Sequence, residues 1–448
     1  MKFPNLVFPG FDPVLAHLMW ESILADEEDE MVEEEEEVEE GDTNGAGRKE
    51  HWHRNRIDWC NHVLKSLHEG MWHTKYRMSY PAFENLVNIL RDDLRRVSAK
   101  CRSGAPITAE IIVGMGIRWL AGEKYQSLVD IFDVSRTEHY KCRKDFISAL
   151  LRNKTLGIKL PKCPEDWEDV RSGFARKSYL QLFHGCCGAL DGFFQPMNKP
   201  TIGECNKPIG YHSGHYKSYG VNCQGACDSR LRFLFFGVVG AGTCHDSNAL
   251  DTAAGLKEAI DSLCLGLYFV GDAAYNLSER LLVPFTGSQR EDPDKDAFNF
   301  YLSQLRIRIE MAFGRLVNKW RILKTKLECD LTRNAEIIMC CAILHNYVIN
   351  ADNIGADDTM EGEESDTMEG DDTIATNDFI IRNAPSGMSY LPNIPEDFEE
   401  IEGTSQTRTA IIEDITDMNL RRPDHNIQRN APAAANEPQI PDEYYHPT

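Results

Sequence analysis

The chain has 448 residues, 42% of them apolar, so it exceeds the usual size of one domain and can bury a large core. Its formal charge of -23 argues against a nucleic-acid partner only while it is taken whole. Residues 1–50 carry 3 basic and 16 acidic side chains and residues 351–448 carry 5 and 23, which leaves 40 basic and 32 acidic in 51–350.

A mildly basic body between two acidic tails suits a nucleic-acid binder. The 14 cysteines show no CxxC pairing and fall largely in apolar runs, as reduced, small hydrophobes do; zinc and disulfide readings are weak. Pro4, Pro9, Asp12 and Pro13 break the N-terminal apolar stretch, and no run of about eighteen apolar residues occurs. Neither a secretory signal nor a membrane span is expected.

In chain order, residues 1–50 read as an acidic disordered tail, because DEEDEMVEEEEEVEEGD at 26–42 has nothing to bury. The apolar stretch before it, with Phe3, Phe8 and Phe11, reads equally as a docking segment or a loose terminus. Residues 51–153 read as helical. Phe83, Leu86, Val87 and Leu90 recur at helical spacing, and a second helix runs from Ile111 towards Leu120. A short helix over Ser127–Phe132 follows, and then Ser135 with Glu138 makes a capping-box pattern opening a basic helix. Arg136, Lys141, Arg143 and Lys144 on that helix are candidate DNA contacts in a helix-turn-helix outline, an outline that many all-helical domains share.

Residues 154–183, with Pro161, Pro164 and Gly173, read as a linker. Over 184–350 the period changes to strands at His184–Phe194, Tyr219–Cys227 and Leu231–Val239, a helix at Ser247–Leu263, and a short apolar strand at Leu267–Val270. A long amphipathic helix at Ala297–Leu323 and a last one at Ala335–Tyr347 follow. The expected fold is α/β with a mixed sheet, preceded by an all-helical domain. Residues 351–448 read as a second acidic disordered tail.

Three acids stand out by their surroundings. Asp191 ends an apolar run, Asp272 lies just past a buried strand, and Glu310 sits on the long helix between Arg306 and Gly314. Read singly, each has an ordinary explanation as a turn residue, a cap or an ion pair. Converging, they would repel unless a hard divalent cation paired with them.

The stretch from Cys187 to about Ile349 resembles the DDE catalytic domain of PIF/Harbinger-type transposases and their domesticated relatives. The resemblance rests on blocks in order. These are Ala189-Leu190-Asp191-Gly192, the Tyr211–Gln224 segment with Lys217, Asn222 and Gln224, Ala226-Cys227-Asp228, and Gly240–Ser247 with His245-Asp246. Val270–Tyr275, Arg308–Leu316 and Ile343-Leu344-His345-Asn346 complete it. Phe193 departs from the pattern, standing where the family often has a small hydroxyl residue.

The resemblance implies an RNase H-like fold with Asp191, Asp272 and Glu310 as a catalytic, metal-binding triad for two Mg2+ or Mn2+ ions. It implies a nuclease and strand transferase acting on duplex DNA, a Myb-like accessory protein and a nuclear, or also cytoplasmic, location; a homo-oligomer is a further expectation. Asp228 and His245-Asp246 are expected near the site or in turns, and Lys217 at a phosphate or in solvent. The alternative is a domesticated DNA-binding or scaffold protein without transposition activity.

Overall fold

One helix, apolar on every side, organises the helical region of the computed structural model, which describes residues 56–96, 107–253, 255–352 and 404–423. Around it the chain forms α1 (Trp59–His68), α2 (Trp72–Tyr76), α3 (Tyr80–Leu90), the central α4 (Ala109–Leu120), α5 (Tyr125–Phe132) and α6 (Arg136–Arg152). All of α4 is buried except Glu110, and Gly116 is required there. A Cβ at that position would lie 2.1 Å from the Phe146 ring of α6. Asp133 turns the chain between α5 and α6 in the left-handed conformation, and the Ser135 hydroxyl accepts the Glu138 N–H at 3.1 Å.

Residues 164–177, expected in a linker, are instead a helix, α7 (Pro164–Lys177). Pro164 opens it, acids fill its first turn and bases its last, while Val170 and Phe174 are buried. Prolines and acids that suggest a loop here serve as helix-start chemistry.

The second region comprises β1 (Cys186–Pro196), β2 (His212–Ser213), β3 (Ser218–Cys227), β4 (Phe233–Ala241), α8 (Asp246–Thr252), α9 (Leu256–Asp261), β5 (Tyr268–Val270), β6 (Leu281–Leu282), α10 (Pro293–Lys319) and α11 (Leu331–Ala351). The helix expected over 247–263 is thus two short ones, divided at Gly255 with φ of 88°. β1 is central: it pairs antiparallel with β3 and parallel with β5, while β4 and β2 pair with β3 and β6 with β5. This is a mixed sheet in an α/β fold, consistent with an RNase H-like domain.

The helical region is packed directly onto the sheet domain. The Tyr347 hydroxyl on α11 donates to the Ala82 carbonyl at 2.5 Å, and the Cys340 thiol to the Ile147 carbonyl at 3.8 Å. The paired cysteines Cys186-Cys187 and Cys340-Cys341 are buried, and all the described cysteines are free of disulfides.

A final helix, α12 (Gln406–Asp417), corrects the expectation of a tail disordered throughout 351–448. Ile411 and Ile415 are buried, and the Glu279 carboxylate accepts from the N–H and hydroxyl of Thr407 at 3.1 and 2.8 Å. The carboxylate satisfies backbone donors that a helix start leaves unpaired. The acidic segments 1–50, 353–403 and 424–448 lie outside the described residues, as does the apolar stretch at the N-terminus. Among the described residues no helix is long and apolar enough to cross a membrane.

Candidate active site

The sheet brings two of the three singled-out acids to one edge. Ala189 on β1 pairs with Val270 on β5, and the strands run parallel. Asp191, within β1, and Asp272, just past the end of β5, each stand two residues beyond that pair. Asp191 is held partly by the next residue of its own strand, its carboxylate accepting the Gly192 N–H at 2.8 Å. Asp272 lies just beyond β5, where Gly271 N–H bonds the Leu282 carbonyl at 3.0 Å.

Glu310 comes from α10, which packs on β1. It does not touch Asp191 directly; Arg306 stands between them. The Arg306 guanidinium is 2.7 Å from Glu310 Oε1 and 3.5 Å from Asp191 Oδ2. Burial pushes the Asp191 carboxyl up to about 6. The Gly192 N–H and Arg306 hold it down, while Asp272 and Asp246 push it further up. Asp191 therefore experiences Asp272 and Asp246 as neighbours in one negative patch.

Asp246 is the fourth carboxylate, and its placement is specific. It opens α8, and its Oδ1 accepts from Asn222 Nδ2 at 3.2 Å and Gln224 Nε2 at 3.5 Å. The buried Tyr275 hydroxyl donates to Gln224 Oε1 at 2.7 Å. Burial, with Asp246 and Asp191 nearby, pushes that phenol far above its usual range. Gly192 makes room for this arrangement, since a Cβ there would meet Asp246 Oδ1 at 2.3 Å. Sequence reasoning placed Asp246, Asn222 and Gln224 in matching blocks without finding that they share hydrogen bonds. Polar residues alternating on an otherwise buried strand were the available signal.

Other singled-out residues go elsewhere. Asp228 is a turn residue: it accepts from the backbone N–H groups of Arg230 and Arg232, each at 2.9 Å, and from Arg232 Nε at 2.7 Å. His345 and Asn346 are structural, since His345 Nε2 donates to the Leu231 carbonyl at 2.8 Å and Asn346 bonds both backbone groups of Phe233 at 2.7 Å. Phe193 packs against Phe313 of α10, ring centroids 5.2 Å apart, and so supports the helix that carries Glu310.

Lys217 is exposed on a left-handed turn, next to Tyr216, whose ring stacks on Phe194 at 4.3 Å. Arg136 and Lys141 are exposed on α6 and line one groove with Arg143 and Lys144. Arg143 departs from the expectation of a surface grip: its guanidinium lies 3.6 Å from the Trp119 ring centroid and burial disfavours its charge.

Carboxylate oxygens are the donors that hard divalent cations take. Arg306, a cation bridging Asp191 and Glu310, stands where such a charge would be needed, so the donor chemistry fits. The spacing is that of a guanidinium-bridged pair, and among the described residues no three His, Cys, Asp or Glu side chains are grouped closely enough to hold a metal ion.

The DDE superfamily endonuclease family matches residues 190–346, the segment that carries Asp191, Asp272 and Glu310. The protein ALP1-like of Arabidopsis thaliana is 23% identical over 332 residues, 69% of this chain and 79% of the relative. The putative nuclease HARBI1 of Xenopus laevis is 22% identical over 284 residues, 62% of this chain and 78% of the relative. No solved structure matches. Both alignments are longer than the segment that the DDE endonuclease family matches.

Proposed function

We propose that this protein is a divalent-metal-dependent DNA endonuclease and strand transferase in which Asp191, Asp272 and Glu310 hold two Mg2+ or Mn2+ ions. The observation that carries the reading is that Asp191 on β1 has Asp272, just past the parallel strand β5, as a charged neighbour, with Glu310 joined to Asp191 through Arg306. Bound there, two metals would activate the attacking oxygen and stabilise the leaving one in phosphodiester chemistry. The chain's own part is positional. Gly192 N–H orients the Asp191 carboxylate, Asn222 and Gln224 fix Asp246, and Arg306 offsets part of the charge of Asp191 and Glu310 before metal binds. The name of the frog relative, a putative nuclease, agrees with this reading.

The partner is duplex DNA, approached from the basic helix α6, with a Myb-like accessory protein and a nuclear site of action. Nicking of supercoiled plasmid by the purified chain, with Mg2+ or Mn2+ and with chelator, tests the proposal. Metal-dependent nicking is expected. Its absence, with the Myb-like partner supplied, contradicts it.

One observation favours a second reading. Arg306 already pairs with Asp191 and Glu310, so two of the three acids are satisfied without metal. That state suits a domesticated DNA-binding or scaffold protein that does not cut.

A further inference from the structure

One recess in the described residues lies away from the acidic patch. It is an open groove of about 1950 Å3 between the helical region and the segment that leads from α10 into α11. Seven exposed cations line it: Arg95, Lys124, Arg136 and Lys141 from the helical region, and Arg321, Lys324 and Lys326 from beyond α10. Two of the acids along it are engaged within the protein, Asp145 with Arg96 at 2.6 Å and Glu123 with Arg118 at 2.5 Å. Asp330 is occupied in capping α11, accepting the Arg333 N–H at 2.8 Å.

The two walls are fixed to each other. Gly122, with φ of 96°, lies against Arg321 so closely that a Cβ there would meet the Arg321 Cβ at 2.9 Å. The second wall is also fixed to the site. Leu327 exchanges backbone hydrogen bonds with the end of β1 and the chain just past it, donating to Pro196 O at 3.0 Å and accepting from Asn198 N–H at 2.8 Å. Gln195 Nε2 of the same strand donates to Thr325 O at 3.1 Å. The segment 321–327 is thereby tied to β1, which carries Asp191, and continues from α10, which carries Glu310.

We propose that this groove is a grip for the phosphate backbone of duplex DNA, in which Arg321, Lys324 and Lys326 act opposite α6. Opposed rows of exposed cations suit a polyanion entering between them, and an open groove suits a duplex better than a small ligand. Lys319, the last residue of α10, lies roughly 14 Å along the helix axis from Glu310, and Arg321 follows just beyond it. That is the span of roughly four or five nucleotides of one strand. A backbone held at 321–326 thus continues towards the carboxylates. The inference rests on the DNA-acting reading above for its ligand, but not on metal binding or cleavage.

The test is binding of a labelled duplex oligonucleotide to the full chain in chelator, by fluorescence anisotropy across a salt series. The proteins are wild type, Arg321→Gln/Lys324→Gln/Lys326→Gln, the corresponding triple Glu variant, and a Lys65→Glu/Lys257→Glu control on exposed sites away from the groove. The groove variants should bind about tenfold or more weakly, with the slope of log K against log salt shallower by about 2 to 3. Their melting temperatures and the control's binding should match wild type. Unchanged affinity and slope in the groove variants, no duplex binding by wild type, or a preference for single-stranded RNA would overturn the proposal. Because no metal is present, failure of the nuclease reading leaves this result intact, and the converse also holds.

Discussion

The Arg306 guanidinium lies 3.5 Å from the Asp191 carboxylate, bridging it to Glu310 one helical turn along α10. A side-chain cation therefore balances, in part, charge that the proposed function assigns to divalent metal.

Replacing Arg306 tests that substitution of one cation for another. Arg306→Gln should lower metal-free stability only slightly, by under about 1 kcal/mol, because the pair is partly exposed. It should also make the melting temperature more responsive to Mn2+ than that of wild type. An equal response in both proteins would show that Arg306 does not share the site.

Gly192 is the tightest constraint at the patch. Gly192→Ala puts a methyl group into the space of Asp246 Oδ1, 2.3 Å away. Overpacking of this kind costs about 1 to 3 kcal/mol. The cleavage rate should fall by at least about tenfold, since small displacements of positioning groups are costly. Kinetics of nicking beside thermal melting would check it, and wild-type nicking by the variant would remove Asp246 from the site.

Acid should destabilise the protein as pH falls from 6.5 to about 4. Burial holds both His139 and His345 down to about 4 in the folded chain, against 6.5 when unfolded. Their stabilising contribution is complete above 6.5 and is lost as pH falls, because the unfolded chain takes up the protons first. Each contributes a slope of up to about 1.4 kcal/mol per pH unit within that window. Urea midpoints at pH 7 and pH 5 measure it. His345→Gln should flatten the dependence, and an unaltered slope would contradict this assignment.

Glu279 should govern docking of α12. Its carboxylate accepts from Thr407, and from the N–H of Gln406, at the start of the helix. Glu279→Ala leaves those donors unsatisfied at a cost of about 1 to 3 kcal/mol. Limited proteolysis should then cut within 404–423 sooner than in wild type, whereas equal protection would show that the buried isoleucines suffice.

Much of this architecture was legible in residue order. Apolar runs before Asp191 and Asp272 marked two buried strands, and the stripe from Leu302 to Trp320 marked the helix carrying Glu310. Ser135 announced the start of α6, and the ordered blocks identified the DDE family match. The rest depends on tertiary contact. Pro164 and its acids describe a helix start as readily as a loop, and only Phe174 buried in the core decides between them. Gln406–Asp417 lies in an acidic context, and what stabilises it is Glu279, distant in the chain. Asp246 looks like a turn residue until Asn222 and Gln224 are brought to it.

The most direct measurement compares metal-dependent nicking of plasmid by wild type with that by Asp191→Asn, Asp272→Asn and Glu310→Gln, each confirmed folded by circular dichroism. The triad assignment predicts nicking by wild type and a loss of at least about a hundredfold in every variant. Nicking that survives in any one of the three would contradict its place in the site, and nicking that survives in all would contradict the account.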